Sequence, residues 1–177
     1  CETSVAPLGC VIANHKPLFI GVSDMLKIST NRTVDLLKRE LEIQLDELEN
    51  KWHFSTLEKI FICEEMYIDF KLYSDRESLY KYMYDRFEPF LKSFVREIND
   101  DDLQKLTQIP MIRITRFDSD KADEAISKLE AEMEQVKYDL DHIVDFAINF
   151  FQMLKDKYGK GRERQTELRS FDTIEAT

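Results

Sequence analysis

Three histidines and two runs of acidic residues are the side chains that could carry metal or acid–base chemistry. His15, His53 and His142 are scattered along the chain, and no cysteine or carboxylate pair completes a ligand set with them. The acids at 64–65 and 100–102 fall at predicted helix ends, where adjacent carboxylates are usually solvated caps. A catalytic carboxylate needs burial or a charged partner to shift its pKa. We therefore predict no metal site and no catalytic residue.

The cysteines indicate a reducing compartment. Cys1, Cys10 and Cys63 are odd in number and have no spacing typical of a disulfide framework. Cys63 has neither a nearby histidine nor a basic context, so we predict a buried packing role for it and not a nucleophilic one. The sequence shows no secretory signal and no apolar run long enough to span a bilayer. These features predict a cytoplasmic protein without membrane contact.

A cluster of basic residues near the C-terminus contrasts with a formal net charge of −10. The acidic total argues against a main surface that grips DNA, because phosphate binding requires positive charge. The cluster has two interpretations: a local contact with DNA, or the favourable placement of cations at a helix C-terminus. The second is the more common situation. The cluster consists of Lys155, Lys157, Lys160, Arg162 and Arg164.

The composition predicts long helices, because 34% of the residues are charged and glycine and proline number four each. Residues 1–29 are the exception. Strand-like segments at 10–13 and 18–20 flank a four-residue turn at 14–17, which predicts a β-hairpin. Ser23 then provides a cap for a short helix over residues 24–28.

Two apolar stripes predict two long helices, at residues 30–65 and 118–158; the first stripe has ordinary α-helical spacing and the second has heptad spacing. Asn31 or Thr33 would cap the first, Asp118 would cap the second, and Gly159 and Gly161 would end it. The second stripe covers roughly 48 Å as one unbroken helix. The stripes are Val34, Leu37, Leu41, Leu45, Leu48 and Trp52 in the first helix, and Ala122, Ile126, Leu129, Met133, Val136, Leu140, Ile143, Ala147, Phe150 and Leu154 in the second.

The second stripe needs a partner helix of matching length, and the first is the only one in the chain. Because an aromatic segment separates them, we predict an antiparallel two-helix coiled coil that carries a small helical head at residues 66–117. A parallel coiled coil between two chains is the alternative, but its stripe would favour β-branched residues alternating with leucine. Within the head, Ser74 with Glu77 and Asn99 are predicted helix caps. Pro110 must bend or stop the chain.

An apolar run surrounds Pro110. We predict that about half of its residues belong to the head core and the rest to a dimer surface, since alternate residues can face either side. We predict that two copies of the chain join through it. The candidate interface residues are Leu106, Ile109, Met111, Ile112, Ile114 and Phe117.

Three stretches, in this order and spacing, resemble the A subunit of bacterial type IIA DNA topoisomerases, the gyrase and topoisomerase IV family. Residues 34–41, VDLLKREL, are similar to the first long helix of the family's arm. Residues 113–118, RITRFD, are similar to the stretch that opens its returning helix. Residues 158–167, YGKGRERQTE, are similar to the end of that helix. None of the three is a catalytic signature.

The resemblance implies a division of the chain and a mechanical role. Residues 1–29 would end the tower domain, 30–65 and 118–158 would form the coiled-coil arm, 66–117 would form the exit-gate head, and 159–177 would be a tail. The head would dimerise and open to release a transported DNA duplex.

The resemblance also implies what the chain lacks. The family's nucleophilic tyrosine lies upstream of the matching region, so no tyrosine here inherits that role. Mg²⁺ and ATP would act through the partner B subunit, with double-stranded DNA as the substrate of the whole enzyme. The resemblance does not distinguish between the A subunits of gyrase and topoisomerase IV. A stand-alone helical hairpin adaptor that binds a protein partner is the alternative function.

Overall fold

The fold is mainly helical, as predicted, with one small antiparallel sheet. It is seen in a computed structural model that describes residues 9–13 and 15–165; predictions for residues 1–8 and for the tail beyond 165 lie outside this range. The elements are β1 (Cys10–Ala13), β2 (Lys16–Phe19), α1 (Val22–Cys63), α2 (Arg76–Phe87), α3 (Asp100–Thr107), α4 (Met111–Thr115), α5 (Ser119–Asp141) and α6 (Ile143–Tyr158), with 3₁₀ segments at Ile68–Leu72 and Glu88–Ser93.

The chain divides into two compact units. A terminal unit comprises the residues up to Leu37 together with those from His142 onward, and a central unit comprises residues 38–141. Helix α1 contributes residues to both units, while α5 belongs to the central unit and α6 to the terminal unit. Among the described residues, no helix is long and apolar enough to cross a membrane.

The predicted β-hairpin is present, but its loop is shorter than predicted. Ala13 pairs with Lys16, so the loop has two residues and not four. Lys16 and Pro17 belong to β2 instead. His15 has a φ of 62°, in the left-handed region that two-residue hairpin loops require.

Helix α1 begins earlier than predicted and has no break. It starts at Val22 and continues through residues 24–28, so the predicted separate short helix at 24–28 is wrong. Neither Asn31 nor Thr33 is a cap, because both lie inside the helix. The Thr33 hydroxyl instead donates to the Ser29 carbonyl one turn back, at 3.0 Å. Such back-bonding satisfies a polar side chain without ending a helix.

The C-terminus of α1 closes with a Schellman motif. The Glu65 N–H donates to the Ile62 carbonyl at 3.1 Å, and the Met66 N–H donates to the Phe61 carbonyl at 3.2 Å. Met66 and Phe61 are both buried in the head core, which supplies the apolar contact typical of this motif. Glu65 has a φ of 54°, a conformation that glycine usually occupies. The motif turns the chain sharply from the helix into the head.

Within the central unit, α1 and α5 pair as antiparallel helices. The contacts run in opposite order along the two helices: Glu49 with Lys137, Trp52 with Glu130, and Lys59 with Asp123. The apolar stripes face inward on both helices, with Leu41, Leu48, Met133 and Val136 buried. Pairing within one chain is therefore confirmed for this unit.

The predicted seam residues of the returning helix are buried or half-buried, although the helix itself is interrupted. His142 lies at φ −114° and ψ 40°, outside the helical region, so α5 ends at Asp141 and α6 begins at Ile143. The prediction of one unbroken helix is therefore wrong. All ten seam residues are nevertheless buried or half-buried, including Leu140 and Ile143 on either side of the interruption.

Carboxylates and amides cap the helices of the head. Asp75, and not the predicted Ser74, caps α2 by accepting from the Ser78 N–H at 3.2 Å. Asn99 caps α3 as predicted, in a capping box with Asp102. Asp118 caps α5 as predicted, accepting from the Lys121 N–H at 3.3 Å.

One apolar core joins the end of α1 to the head. Aromatic rings make up much of it: Phe61 lies 5.6 Å from Phe70, and Tyr73 stacks on Tyr82 at 4.9 Å between ring centroids. The Tyr82 hydroxyl donates to Asp69, and burial together with this bond raises the pKa of Tyr82 to about 12. The buried members of the core are Leu57, Phe61, Ile62, Met66, Tyr80, Met83, Phe87, Ile98, Leu103 and Leu106.

The Schellman motif generates a stability prediction. Glu65→Gly should raise the free energy of unfolding by about 0.5–1 kcal/mol, because relief of the left-handed strain of about 1–2 kcal/mol exceeds the added entropy of glycine in the unfolded chain. Urea unfolding followed by circular dichroism measures the change. The matched control is Glu64→Gly, whose φ is not positive and which should destabilise. Equal destabilisation by both variants would contradict the assignment of strain to Glu65.

Candidate dimer interface

The candidate interface surrounds the short helix α4. Helix α3 ends at Thr107, and Pro110 caps α4 with φ −64° and ψ 141°. The Pro110 carbonyl accepts from the N–H groups of Arg113, at 2.8 Å, and Ile114, at 3.3 Å. The chain therefore stops at Pro110, as the sequence predicts, and starts a new helical turn directly afterwards. This sharp corner brings residues 111 and 112 to the surface.

The six predicted interface residues separate into two groups. Met111 and Ile112 are 63% and 59% exposed, so these two neighbouring apolar side chains lie at the surface. Leu106 is 1% exposed and belongs to the core, so it supports the surface from below and is not part of it. The three half-buried residues pack against that core: Ile109, Ile114 and Phe117.

A buried carboxylate anchors α4 to α1. Arg113 Nη2 donates to Glu58 Oε2 at 2.7 Å, and Arg113 Nε faces Oε1. The Glu58 side chain is 8% exposed, whereas that of Arg113 is 62% exposed. Since an unpaired buried carboxylate is costly, this fork fixes the orientation of α4. Met111 and Ile112 are thus presented by a helix that is tied to the arm.

A groove of about 520 Å³ lies beside the exposed pair. Ile112, Arg116 and Phe117 line one side, and Ser55 and Glu58 of α1 line another. The remaining lining residues are Arg113, Asp118, Lys121, Ala122 and Ala125. The mixture of apolar and charged groups is typical of the rim of a protein interface.

Other exposed apolar side chains of the head were not among the predicted residues. Ile68 and Leu72 lie on the first 3₁₀ segment, and Leu91 and Val95 lie on or just after the second. Their exposed fractions range from 45% to 75%. The sequence pattern predicts no interface there, because 3₁₀ geometry does not follow the 3.6-residue period from which a surface could be predicted.

The predicted basic cluster lies at and beyond the end of α6. Lys155 and Lys157 occupy its last turn, and Gly159 is its C-cap, as predicted. All five basic residues of the cluster are exposed. Glu163 lies among them, and backbone N–H groups, including that of Gly161 at 3.1 Å, lower the pKa of its carboxyl.

Apart from Asp102, the acidic residues that could carry chemistry are exposed, and so is Cys63. Glu64 and Glu65 are exposed at the turn after α1, and Asp100 and Asp101 are exposed in the first turn of α3. Cys63 is exposed, so the predicted buried packing role is wrong; it is the last residue of α1, at the edge of the core.

The histidines do not converge with other ligands. His15 and His142 are exposed, whereas His53 is fully buried beside Asp102, which is 2% exposed. Within residues 9–13 and 15–165, no three His, Cys, Asp or Glu side chains lie close enough to hold a metal ion. The burial of His53 was missed, although its spacing of four to Leu57 and again to Phe61 places all three on one face of α1.

The fold and this surface define a helical arm with a compact head that presents an anchored apolar pair. A family model for the A subunit of DNA gyrase and topoisomerase IV matches residues 1–152, and the chain belongs to that family. It is also 28% identical over 168 residues to the A subunit of DNA topoisomerase 4 from Borreliella burgdorferi. That match covers 95% of this chain and 27% of the relative's length.

The Glu58–Arg113 fork generates the second prediction. Arg113→Met should lower the free energy of unfolding by about 1–3 kcal/mol, because it leaves a buried carboxylate without its partner. The matched control is Arg116→Met, at the C-cap of the same short helix, which should change stability by less than about 0.5 kcal/mol. Urea unfolding of both variants at neutral pH measures the difference. Equal stabilities would mean that the fork does not hold α4.

Proposed function

We propose that this chain is the coiled-coil and exit-gate region of the DNA-cleaving A subunit of an ATP-dependent type IIA topoisomerase. Two copies would join through their heads and close one end of a cavity below the cleaved DNA. The transported duplex would leave when the heads part. Family membership and the anchored apolar pair Met111–Ile112 support this proposal.

The chain would contribute mechanics and not chemistry. Cleavage of DNA would use a tyrosine elsewhere in the enzyme, and ATP and Mg²⁺ would be used through the partner B subunit. The arm and the head would transmit force and hold a closable contact. The antiparallel pairing of α1 with α5 in the central unit suits a stiff support, since both helices bury an apolar stripe against each other.

The observation that carries the proposal is the exposure of Met111 and Ile112 on a helix fixed by Glu58 and Arg113. A flexible apolar loop would lose conformational entropy on association, whereas a fixed helix does not. A gate also needs an interface that can open. A surface near the standard ~1,600 Å² is large enough to hold two copies together and small enough to separate.

The adaptor function is not favoured, because the family match extends over residues 1–152 and includes the arm and the head. A helical hairpin adaptor would not require membership of this family. The same experiment separates the two, since an adaptor has no need to associate with itself.

Sedimentation equilibrium of the 177-residue chain tests the proposal. We expect a dimer, and Ile112→Asp should raise its dissociation constant by at least about tenfold, because burying an unpaired carboxylate at an interface is unfavourable. Met111→Asp should act in the same direction.

The matched control is Ile148→Asp on α6, since Ile148 is also 59% exposed but lies in the terminal unit. It should leave the dimer intact. A wild-type chain that stays monomeric at high micromolar concentration would contradict the proposed gate, as would dimers of equal strength in the Ile112→Asp and Ile148→Asp variants.

We further propose that the basic cluster contacts a DNA backbone. Its five exposed cations concentrate positive charge within a strongly acidic chain, and neutralising phosphates releases counterions. The competing role is stabilisation of the C-terminus of α6 by Lys155 and Lys157.

Fluorescence anisotropy with a labelled DNA duplex at several salt concentrations measures this contact. Lys155→Glu combined with Lys157→Glu should weaken binding and reduce the salt slope by about two, one for each lost phosphate contact. Lys71→Glu combined with Lys81→Glu, two exposed lysines of the head, is the charge-matched control. Equal effects of the two pairs would indicate only a general dependence on net charge and would reject a specific contact.

A further inference from the structure

Three ionisable side chains from different segments meet inside the central unit. His53 comes from α1, Arg96 from the segment between the second 3₁₀ turn and α3, and Asp102 from α3. His53 is completely buried and Asp102 is 2% exposed, whereas the Arg96 side chain is 36% exposed. The cluster therefore links the arm helix to two parts of the head through a largely buried carboxylate.

Both carboxylate oxygens of Asp102 already accept hydrogen bonds. Arg96 Nη2 donates to Oδ1 at 2.9 Å, and Nη1 donates to Oδ2 at 2.7 Å. The Asn99 backbone N–H also donates to Oδ2, at 3.2 Å, as half of the capping box. Oδ2 thus accepts two hydrogen bonds, the number that its lone pairs favour.

His53 lies against this carboxylate without bonding to it. Its Nε2 is 3.4 Å from Asp102 Oδ2, but among the described residues neither ring nitrogen has a hydrogen-bond partner. The imidazole instead meets the Phe94 ring edge-on, 5.1 Å between centroids. A fully buried ring with two unsatisfied nitrogens is rare. Its position next to Asp102, just outside hydrogen-bond geometry, suggests a second arrangement of the cluster.

Two charged side chains face His53, one from each packed segment: Arg96 and Asp102. Burial, and then the positive charge of Arg96, lower the pKa of His53 below 6.5, while Asp102 opposes them. Burial alone would raise the pKa of Asp102, but the bonds from Arg96 and Asn99 lower it below 3.8 overall. Asp46 on α1 adds attraction for the Arg96 guanidinium. At neutral pH the cluster is thus an Arg96–Asp102 ion pair beside a neutral imidazole.

We propose that Asp102 exchanges its cationic partner when His53 takes up a proton, so that the carboxylate pairs with His53 and Arg96 is released. The cluster is then a two-state lock between α1 and the segment at 94–99. The inference stands on this geometry alone and does not depend on the proposed gate function.

Arg96 is the partner that leaves because the other donor to Oδ2 cannot. The Asn99 N–H is fixed by the capping box, and breaking that box would unwind the start of α3. The Arg96 guanidinium is already partly in water and is rehydrated readily. Once released, it no longer ties its segment to α3, and that segment carries Val95, an exposed apolar side chain. Protonation therefore loosens a surface segment while α1 and α3 gain a direct bond.

The lowered pKa of His53 fixes the direction of the pH dependence. At pH values below 6.5 the unfolded chain binds a proton at His53, whereas the native state, in which the pKa of His53 is lowered, resists protonation. The free energy of unfolding therefore falls as the pH is lowered. The loss begins as pH drops below the unfolded value and is complete once pH passes the lowered native pKa. The stabilising contribution of ionised Asp102 persists through this window, because its own pKa is lower still.

Nuclear magnetic resonance of the 177-residue chain tests the exchange directly. The His53 ring nitrogens and the Arg96 Nη–H groups that donate to Asp102 are followed from about pH 8 to about pH 5, the range in which histidines titrate. We expect His53 to titrate below 6.5, and the Arg96 Nη–H groups to lose their protection from solvent exchange with the same midpoint.

A variant pair separates exchange from simple burial. Arg96→Gln removes the competing cation, so the His53 midpoint should move to higher pH. Lys92→Gln, an exposed lysine shortly before in sequence, should leave it unchanged. An Arg96 signal that stays protected through the His53 titration would overturn the proposal. So would a His53 midpoint that Arg96→Gln leaves in place.

Urea unfolding as a function of pH adds a readout on stability. The unfolding midpoint should fall between about pH 8 and pH 5 in the wild type and fall less in His53→Gln. His15→Asn is the control, since His15 is exposed and asparagine tolerates its left-handed backbone. An identical pH dependence in wild type and His53→Gln would also reject the lock.

Discussion

The continuous apolar face of α1 is the constraint on which the central unit depends. Leu41 and Leu48 are buried on this face, and Leu57 and Phe61, farther along the same helix, belong to the head core. Burying each such side chain is worth about 1.5–3 kcal/mol, so the helix cannot remain without a partner along this face. Arm and head are therefore not separable modules, since one helix supplies the packing surface of each.

Buried carboxylates determine where the head elements attach to this helix. Glu58 holds α4 through Arg113, and Asp102 holds the segment at 94–99 through Arg96 while it caps α3. Each carboxylate is nearly inaccessible, and each arginine is partly exposed. Because a buried charge must be paired, each ion pair holds the neighbouring backbone in place while it is intact. Burial of the aromatic core stabilises the head, and the two ion pairs fix the orientation of its elements.

This arrangement suits a region that forms a contact between two copies and can break it again. In the proposed gate, the contact between copies would rest on a few apolar side chains of α4, while the ion pairs keep that helix in place. Several other charged and polar side chains of the central unit serve as helix caps, among them Asp75, Asn99 and Asp118. Membership of the topoisomerase family is consistent with a mechanical role for a region built in this way.

The sequence by itself determined the helical class, the inward face of both long helices, the caps at Asn99 and Asp118, and the stop at Pro110. These features depend on local periodicity and on hydrogen bonds between residues close in sequence. Only the tertiary structure decided that Leu106 is core while Met111 and Ile112 are surface, and that His53 lies buried against Asp102. It also decided that α1 runs without a break from Val22. The burial of His53 and the position of α4 depend on contacts between residues about 50 positions apart, such as the 55-residue separation of Glu58 and Arg113, which no local pattern encodes.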